Sequence, residues 1–336
     1  MAKGLDIGTC FLVGATHADP SGMGDVSVKS VRDAFLDLDN EPGTKNMLKM
    51  GKVPFIEKED TLYIIGDAAL RMANIMKKEV RRPLSKGVVS AGEREAEKIL
   101  KMLLKEVVGE PSAPGEVVYY SVPAAPIDRD ADVIYHEAFF KKVLEDFGYK
   151  AVSMNEAAAV GYANAATDGF TSLNLSWGAG MSNVALLYQT MVGMKFSTAR
   201  CGDWIDEGAA KATGRTMAQI MAIKERGVDL LDPTKGDPKE EREREAIAVY
   251  YKNLIGYVVE AIKKEFRKTE SSVQIDHPIP IIISGGTSKA INFLPFFKQE
   301  FAKVKDFPLE ISEIRMASDP LADVAKGLLI AASLES

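Results

Sequence analysis

The stretch LNLSWGAGMSNVALL, residues 173–187, decides the fold. Two apolar segments flank a Gly-x-Gly turn, and this pattern predicts a β-hairpin. Glycine lets backbone N–H groups come close to an anion, and turns of this kind commonly bind phosphate. A metal-assisted phosphate site also needs an acid at the end of the first strand, where this stretch has Ser176 and Trp177. The stretch therefore predicts a phosphate site with an unusual side chain at its edge.

The N-terminal segment repeats this pattern. Residues 4–14 read GLDIGTCFLVG, an apolar approach, a turn that begins at a glycine and a second apolar strand. The two copies lie about half of the 336-residue chain apart, which predicts two related α/β halves whose turns face a shared cleft. Two facing glycine turns would hold a polyphosphate between the halves, unlike a Walker loop. No G-x-x-x-x-G-K-[ST] sequence occurs in the chain.

The composition is typical of a soluble globular protein, with 46% hydrophobic and 27% charged residues. The formal net charge of −6 does not favour direct nucleic-acid binding. Only two cysteines, Cys10 and Cys201, and three histidines occur, which disfavours a disulfide framework, a histidine-based metal site and a hydrolase triad. No apolar run reaches the roughly 18 residues of a membrane span. We therefore expect a cytoplasmic protein without a membrane anchor.

Five motifs, in order along the chain, carry a family resemblance. The chain resembles the actin, Hsp70 and sugar-kinase ATPase superfamily, and most closely the bacterial actin-like proteins MreB and MamK. The motifs are similar to the first phosphate loop, the first connecting helix, the second phosphate loop, the adenosine motif and the second connecting helix, at residues 4–14, 155–159, 175–187, 283–294 and 319–327. They span nearly the whole chain.

This resemblance implies an α/β fold of two related ribonuclease-H-like, actin-like domains that flank a nucleotide cleft, each with a small inserted subdomain. Domain I would comprise residues 1–155 and 318–336, with an insertion at about 25–80. Domain II would comprise residues 156–317, with an insertion at about 204–262. The implied ligands are ATP or ADP and Mg²⁺.

The resemblance also implies roles for individual residues. Asp6 would hold Mg²⁺ through water, and Glu156 would orient the attacking water, so these two are the candidate catalytic residues. The candidate phosphate-binding residues are Gly8, Thr9, Cys10, Gly178, Ala179, Gly180, Met181 and Ser182. The other candidate nucleotide-binding residues are Gly202, Asp203, Lys224, Glu225, Gly285, Gly286 and Thr287. Among these, Lys224 and Glu225 would contact the adenine and the ribose.

Ser176 is the main departure from the family pattern. Relatives have an Asp at this position, and the nearest other polar side chain, Asn174, lies two residues earlier on the same face of the strand and one pleat deeper. Loss of the second acid removes one water-holding group and one negative charge near the metal. We therefore expect nucleotide binding to survive and hydrolysis to be slow.

Two classes of function fit these features. The first is a filament-forming, actin-like cytoskeletal ATPase that assembles head to tail with copies of itself. The alternative is a non-filamentous small-molecule kinase or a chaperone-like nucleotide switch of the same superfamily. Kinases of the superfamily place a catalytic Asp in the second half, and no acid lies in a matching place. Adaptor proteins cannot be named from the sequence.

Overall fold

The computed structural model of the protein describes residues 2–19, 25–76, 78–269 and 275–335. Over these residues the backbone forms two five-stranded sheets, one from each half of the chain, with helices between and around them. The predicted α/β class is confirmed. The predicted domain ranges also include residues 1, 20–24, 77, 270–274 and 336, which lie outside the described residues.

The first sheet is built around the N-terminal hairpin. Its strands are β1 (Lys3–Ile7), β2 (Phe11–His17), β3 (Val26–Arg32), β9 (Val117–Val122) and β10 (Lys150–Asn155). Their order is β10-β9-β1-β2-β3. The β1–β2 and β2–β3 pairs are antiparallel, whereas β9 and β10 add in parallel beside β1.

The second sheet repeats this topology around the hairpin of residues 173–187. Its strands are β11 (Ser172–Trp177), β12 (Ser182–Tyr188), β13 (Met191–Thr198), β14 (Ile279–Ser284) and β15 (Ile311–Met316). Their order is β13-β12-β11-β14-β15, with antiparallel pairs in the meander and parallel pairs at β14 and β15. Every residue of β11 and of β14 is buried, as expected for central strands with both faces covered. The predicted duplication is thus present in the strand order.

Two helices lie between the sheets, α5 (Glu156–Asn164) and α10 (Asp323–Glu335). They cross closely because Gly327 has no side chain, and a Cβ placed there would lie 1.8 Å from the carbonyl oxygen of Ala159. On the other side of α10, a Cβ on Gly4 of β1 would lie 2.1 Å from the carbonyl oxygen of Ala325. Only glycine allows backbones to approach this closely. The two helices and the first sheet therefore form one tightly packed unit.

The remaining elements flank the sheets. In the first half these are α3 (Ala96–Val108) and α4 (Val133–Asp146), and in the second half α6 (Gly202–Thr213), α7 (Met217–Arg226), α8 (Glu241–Thr269) and α9 (Phe293–Phe301). The range predicted as the second insertion, about 204–262, covers α7 and most of α6 and α8. They pack against each other and share the apolar core of the second sheet.

The first half also contains a small separate α+β unit. It consists of α1 (Pro42–Met50), α2 (Asp67–Met76) and a three-stranded sheet of β4 (Phe35–Asp39), β6 (Thr61–Ile65) and β5 (Ile56–Lys58), and it is followed by a short hairpin of β7 (Leu84–Ser85) and β8 (Val88–Val89). The predicted insertion at about 25–80 includes β3, but β3 pairs along its whole length with β2 of the first five-stranded sheet. The separate sheet therefore begins only at Phe35, while the domain boundaries stay a prediction.

Candidate functional site

A cavity of about 370 Å³ lies where the two halves of the chain meet. The turns of the β1–β2 and β11–β12 hairpins line it. So do the first residue of α5, the adenosine motif and the start of the second connecting motif. Since equivalent ends of two equivalent sheets face it, the cavity occupies the position that the duplicated turns predict for a shared cleft.

The two hairpin turns have nearly the same backbone geometry. In the first, the N–H of Gly8 donates to the carbonyl oxygen of Phe11 at 3.0 Å, and in the second, the N–H of Gly178 donates to that of Met181 at 3.1 Å. A Cβ would lie 2.7 Å from the acceptor oxygen at Gly8 and 2.9 Å from it at Gly178. Glycine is therefore required at the start of each turn.

The second turn touches the first turn and the β7–β8 hairpin. A Cβ on Gly180 would lie 2.3 Å from the backbone nitrogen of Gly87 and 2.4 Å from the hydroxyl oxygen of Thr9. The N–H of Gly87 in turn donates to that hydroxyl at 3.0 Å. Behind the second turn, the N–H groups of Gly202 and Asp203 at the start of α6 donate to the carbonyl oxygens of Gly178 and Ala179. The two turns are thus held face to face from both halves of the chain.

Asp6 lies at the end of β1, where it lines the cavity. The hydroxyl of Ser121, at the end of the neighbouring strand β9, donates to its Oδ1 at 2.8 Å. The same hydroxyl oxygen accepts the N–H of Ile7 at 2.7 Å. This arrangement fixes the carboxyl group of Asp6 toward the cavity and satisfies a buried backbone donor.

Glu156, the first residue of α5, also lines the cavity. Asn155 caps the helix through its side-chain oxygen, which accepts the N–H of Ala158 at 3.1 Å. The hydroxyl of Ser176 donates to Oε1 of Glu156 at 2.6 Å, and the side-chain amide of Asn183 donates to Oε2 at 2.9 Å. Ser176 and Asn183 are paired across β11 and β12, so both side chains emerge on the same face of the sheet.

Ser176 therefore does not leave a gap where relatives have an acid, because its hydroxyl holds Glu156. Asn174 does not replace that acid either. Its side chain is fully buried and bonded to the carbonyl oxygens of Ser172 and Ala185 within the sheet. Trp177 points to the other face, where it packs edge-on against Phe293 and Phe297. Because side chains alternate along β11, Ser176 faces the cleft and the next residue, Trp177, faces the core.

The two carboxyl groups are both shifted toward their protonated forms. Burial raises the pKa of Asp6, against the opposing effect of the Ser121 hydrogen bond. Burial also raises the pKa of Glu156, and the negative charge of Asp6 raises it further. Two carboxylates that share a desolvated site cannot both ionise easily. The pair therefore favours states that carry a proton at neutral pH.

The opposite part of the cavity is built from the adenosine motif and from α6 and α7. Gly285 has a φ of 96°, and its N–H donates to the carbonyl oxygen of Pro320 at 2.8 Å. A Cβ there would lie 2.4 Å from the carbonyl oxygen of Trp177. The hydroxyl of Thr287 donates to the carbonyl oxygen of Gly178 at 2.6 Å. The motif is therefore attached to the second turn and to the connecting segment that precedes α10.

Lys224 and Glu225 lie side by side in α7 and have different partners. The ammonium group of Lys224 pairs with Asp206 of α6 at 2.7 Å and also donates to the carbonyl oxygen of Gly202 at 3.1 Å. Glu225 pairs with Arg32 of β3, which belongs to the other half of the chain. Both residues line the cavity, where we predicted contacts to the adenine and the ribose.

Most of the predicted site residues come together around this one cavity. Those that line it are Asp6, Gly8, Thr9, Cys10, Glu156, Gly178, Ala179, Gly180, Met181, Asp203, Lys224, Glu225, Gly285, Gly286 and Thr287. Ser182 and Gly202 lie behind its wall. The hydroxyl of Ser182 donates to the carbonyl oxygen of Arg200, and Gly202 supports the second turn through its backbone.

Sequence reasoning missed several residues that shape the site. These are Ser121, Asn183, Arg32, Gly87, Asp206 and Tyr251. Two of them carried a usable signal. Asn183 is placed symmetrically to Ser176 about the glycine turn, so a hairpin register already puts both on one face. Ser121 is the polar residue near the end of an apolar strand that runs beside β1. The others come from elements whose approach to the cleft has no local signal.

The described residues include no group of three or more His, Cys, Asp or Glu side chains that could hold a metal by themselves. A single carboxylate such as that of Asp6 nevertheless fits Mg²⁺, because this ion keeps several waters and commonly shares its remaining ligands with phosphate oxygens. The cleft thus combines two glycine turns, the carboxyl of Asp6 and the carboxyl of Glu156, which accepts two hydrogen bonds.

The fold and the cleft define a protein of the actin-like ATPase fold. The chain belongs to the Volactin family, which it matches over residues 1–332. Among solved structures it is similar to MamK in a double helical filament, with 19% identity, a TM-score of 0.72 and coverage of 99% of this chain and 98% of that one. No curated protein sequence matches it.

Two further structures share the fold. MreB5 of Spiroplasma citri bound to ADP has 16% identity and a TM-score of 0.65, with coverage of 97% of this chain and 94% of that one. The ethanolamine utilization protein EutJ from Carboxydothermus hydrogenoformans has 14% identity and a TM-score of 0.55, with coverage of 98% and 88%. At these identities the similarity establishes the fold, and the resemblance to actin-like proteins is confirmed. In the described part of the chain, no helix combines the length and the apolar character needed to cross a bilayer.

Proposed function

We propose that this chain is an actin-like ATPase that binds ATP with Mg²⁺ between its two domains and polymerises head to tail into filaments. One observation carries the proposal: two glycine turns of nearly the same geometry line one cavity together with Asp6 and Glu156. The domains would be residues 1–155 with 318–336, and residues 156–317. The two free cysteines agree with a cytoplasmic location.

The glycine turns would bind the phosphates. Thr9, Ala179 and Gly180 would donate backbone N–H groups and a hydroxyl to the β- and γ-phosphates, while Gly285 and Gly286 would allow close approach of the nucleoside. Lys224 and Glu225 would lie at the base and the ribose. The structures of MamK bound to AMPPNP and of MreB5 bound to ADP support a nucleotide as the ligand.

Asp6 would hold a hydrated Mg²⁺ ion, and the cation would neutralise phosphate charge. Ser121 keeps the carboxyl of Asp6 directed at the cavity, so the acid is already oriented before a ligand enters. Phosphoryl transfer depends mainly on positioning and on charge neutralisation. One oriented carboxyl and backbone donors are sufficient for that purpose.

Glu156 would orient the attacking water. Its two oxygens are fixed by Ser176 and Asn183, so the geometry of the group is set by the second hairpin. Its raised pKa favours the protonated form, which cannot take a proton from water. This supports slow hydrolysis, in agreement with what the absence of the second acid predicts.

Self-association is supported by the similarity to MamK in a double helical filament. Head-to-tail contacts between identical subunits generate open polymers when the rotation between subunits does not close. Bound ATP would favour the closed arrangement of the two domains, which is the state that assembles.

The test measures three properties of the purified protein. We expect binding of a fluorescent ATP analogue, slow phosphate release that falls at least about tenfold in Glu156→Ala, and filaments in negative stain with ATP and Mg²⁺. Glu97→Ala, on the exposed face of α3, is the matched control. Equal phosphate release by wild type and Glu156→Ala would contradict the role of Glu156. Phosphorylation of a small substrate without filaments would point to a kinase instead.

A further inference from the structure

Two ion pairs connect the halves of the chain across the cleft. Among the ion pairs of the described residues, these are the ones that join residues 1–155 to residues 156–317: Arg32 with Glu225, and Arg82 with Asp203. In both, the cation belongs to the first half and the anion to the second. Both contacts therefore attract the first half to the second and oppose their separation.

Arg32 is held in place from several sides. Its Nη1 and Nη2 atoms lie 3.1 and 3.4 Å from the two carboxylate oxygens of Glu225, and its Nε lies 2.9 Å from Asp67 of α2. The guanidinium group also lies over the ring of Phe11, 4.5 Å from its centre. Only 12% of the side chain is exposed. Glu225 is 42% exposed, so solvent screens the pair in part, but the covered and multiply held guanidinium keeps the two-pronged geometry in place.

Glu225 has a local reason to need this partner. It lies next to the last residue of α7, where the helix dipole disfavours a negative charge. The cation of Arg32 offsets that unfavourable field. If the two halves separate, Glu225 loses this compensation, so the closed arrangement is favoured from the side of α7 as well.

Arg82 forms the second connection, next to the β7–β8 hairpin. Its Nη1 atom lies 3.2 and 3.3 Å from the two carboxylate oxygens of Asp203, in the first turn of α6. The hairpin is anchored to the first half because the N–H of Leu84 donates to the buried carboxyl of Asp33 at 3.1 Å. Arg82 thus reaches α6 from a fixed position, beside the contact between Gly87 and Gly180.

We propose that Arg32 and Arg82 form an electrostatic latch that holds the cleft closed and sets the rate at which nucleotide leaves. The proposal rests on the proposed function, because it assigns the occupant of the cavity to be a nucleotide. Arg32, Glu225 and Asp203 all line that cavity, so the two ion pairs join the halves of the chain at its wall. Release then requires both pairs to separate before the halves open.

The first experiment measures the release of a fluorescent ADP analogue from Arg32→Ala, Arg82→Ala and the double variant. Each single variant is expected to release it about fivefold faster than wild type, and the double variant more than about 20-fold faster. Arg226→Ala is the matched control. Arg226 follows Glu225 in the same helix, but it pairs with Glu240 within the second half, so its release rate should equal that of wild type.

The dependence of the release rate on ionic strength is a second measurement. A purely structural role of the two arginines would not alter this dependence. Salt screens ion pairs, so release from the wild type should accelerate as salt rises from 0.05 to about 0.5 M. Release from the double variant should accelerate less over the same range, because only the salt dependence of the nucleotide's own contacts remains. Arg32→Lys keeps the charge but loses the two-pronged geometry, and its rate should fall between those of wild type and Arg32→Ala.

The second experiment uses the protein without nucleotide, so that failure of the latch can be told apart from failure of the proposed function. Hydrogen exchange in the double variant should be faster in the β7–β8 hairpin and at the start of α6, and unchanged in β1 and β14. If wild type binds no nucleotide, the proposed function fails and this experiment still tests the latch. Release rates and exchange equal to those of wild type would overturn the latch.

Discussion

The two glycine turns at the centre of the molecule have the same backbone and different side chains. Gly8 and Gly178 each donate to the residue three positions later, at 3.0 and 3.1 Å. The strands behind them occupy equivalent places in sheets of equal order. At the end of the first strand of each hairpin, however, the first half has Asp6 and the second half has Ser176.

The two duplicated units therefore use the equivalent strand position for different purposes. In the first half, a serine hydroxyl on the neighbouring parallel strand orients the acid of the turn. In the second half, the corresponding neighbour of Ser176 is Ser284, whose hydroxyl donates away from it, to the carbonyl oxygen of Pro320. Ser176 itself serves as a donor to Glu156. The glycine-turn backbone is thus present twice, whereas the two carboxyl groups come from the first turn and from α5.

The largest effect is expected for the pH dependence of stability, which tests how the first turn and Glu156 interact. Burial raises the pKa of Glu156 from 4.5 to about 8. Between these values the folded protein holds a proton that the unfolded chain has released, so stability falls as pH rises. For one proton the slope approaches about 1.4 kcal/mol per pH unit. Chemical unfolding of the ligand-free protein between pH 4.5 and pH 8 measures it.

Glu156→Gln removes the titrating group from this comparison. Above pH 6, where the buried carboxyl of Asp6 with its pKa of about 6 has largely released its own proton, the unfolding free energy of the variant should vary much less with pH than that of the wild type, whatever its absolute stability. Wild type and Glu156→Gln with the same slope would show that the carboxyl of Glu156 titrates normally, and that the first turn does not act on it.

Gly180→Ala is expected to have the next largest effect, because it tests the contact between the turns. The new Cβ would lie 2.3 Å from the backbone nitrogen of Gly87 and 2.4 Å from the Thr9 hydroxyl oxygen. Separating them costs about 3 kcal/mol of unfolding free energy or moves the turns apart, and nucleotide affinity should fall with it. Denaturant unfolding and titration with a fluorescent ATP analogue measure both quantities.

Gly43→Ala in α1 is the control for Gly180→Ala. A Cβ at Gly43 has no neighbour within 4 Å, and alanine favours a helix over glycine by up to about 1 kcal/mol. The control should therefore be neutral or slightly stabilising. Equal behaviour of the two variants would mean that the turns do not touch in solution.

Ser176→Asp makes the second turn chemically like the first. It places a carboxyl beside Glu156, where the Ser176 hydroxyl now lies at 2.6 Å from Oε1. Repulsion and burial should lower the unfolding free energy by about 2 kcal/mol at pH 8 and by less at pH 5, where the groups are protonated. Ser176→Asn has a similar size without the charge, and its stability should lack this pH dependence. The urea midpoint of each variant at both pH values tests the difference.

The glycine turns and the order of the motifs were enough to predict the fold. The glycine turns are local patterns, because a Cβ at Gly8 or at Gly178 would collide with a carbonyl oxygen of the same turn. The convergence of Asp6, Glu156 and the adenosine motif on one cavity agrees with what the family resemblance implied for these residues. The predicted range of about 25–80 included β3, which pairs with β2 of the first five-stranded sheet, because the alternation in VSVKSVR does not show which sheet a strand joins.

The roles of Ser176 and of Arg32 could not be predicted from the sequence. Replacement of an acid by Ser176 indicates a loss of charge, but the gain of a hydrogen bond depends on where α5 begins relative to β11. Arg32 occurs near the end of an exposed edge strand, which is the usual place for a solvated arginine. Its partner is 193 residues away in the chain. Such contacts depend on how the two halves are oriented, which no local pattern encodes.

The smallest expected effect comes from removing, one at a time, the hydroxyl groups that hold the carboxyls of Asp6 and Glu156. Ser121→Ala leaves the buried N–H of Ile7 without an acceptor and frees the carboxyl of Asp6, so it should lower the unfolding free energy by about 2 kcal/mol. Ser176→Ala removes one donor to Glu156, which keeps the amide of Asn183, and should cost about 1 kcal/mol. Parallel denaturant titrations at pH 7 measure this difference. A larger loss in Ser176→Ala would mean that the hydroxyl of the second turn, rather than that of Ser121, is the principal support of the carboxyl pair.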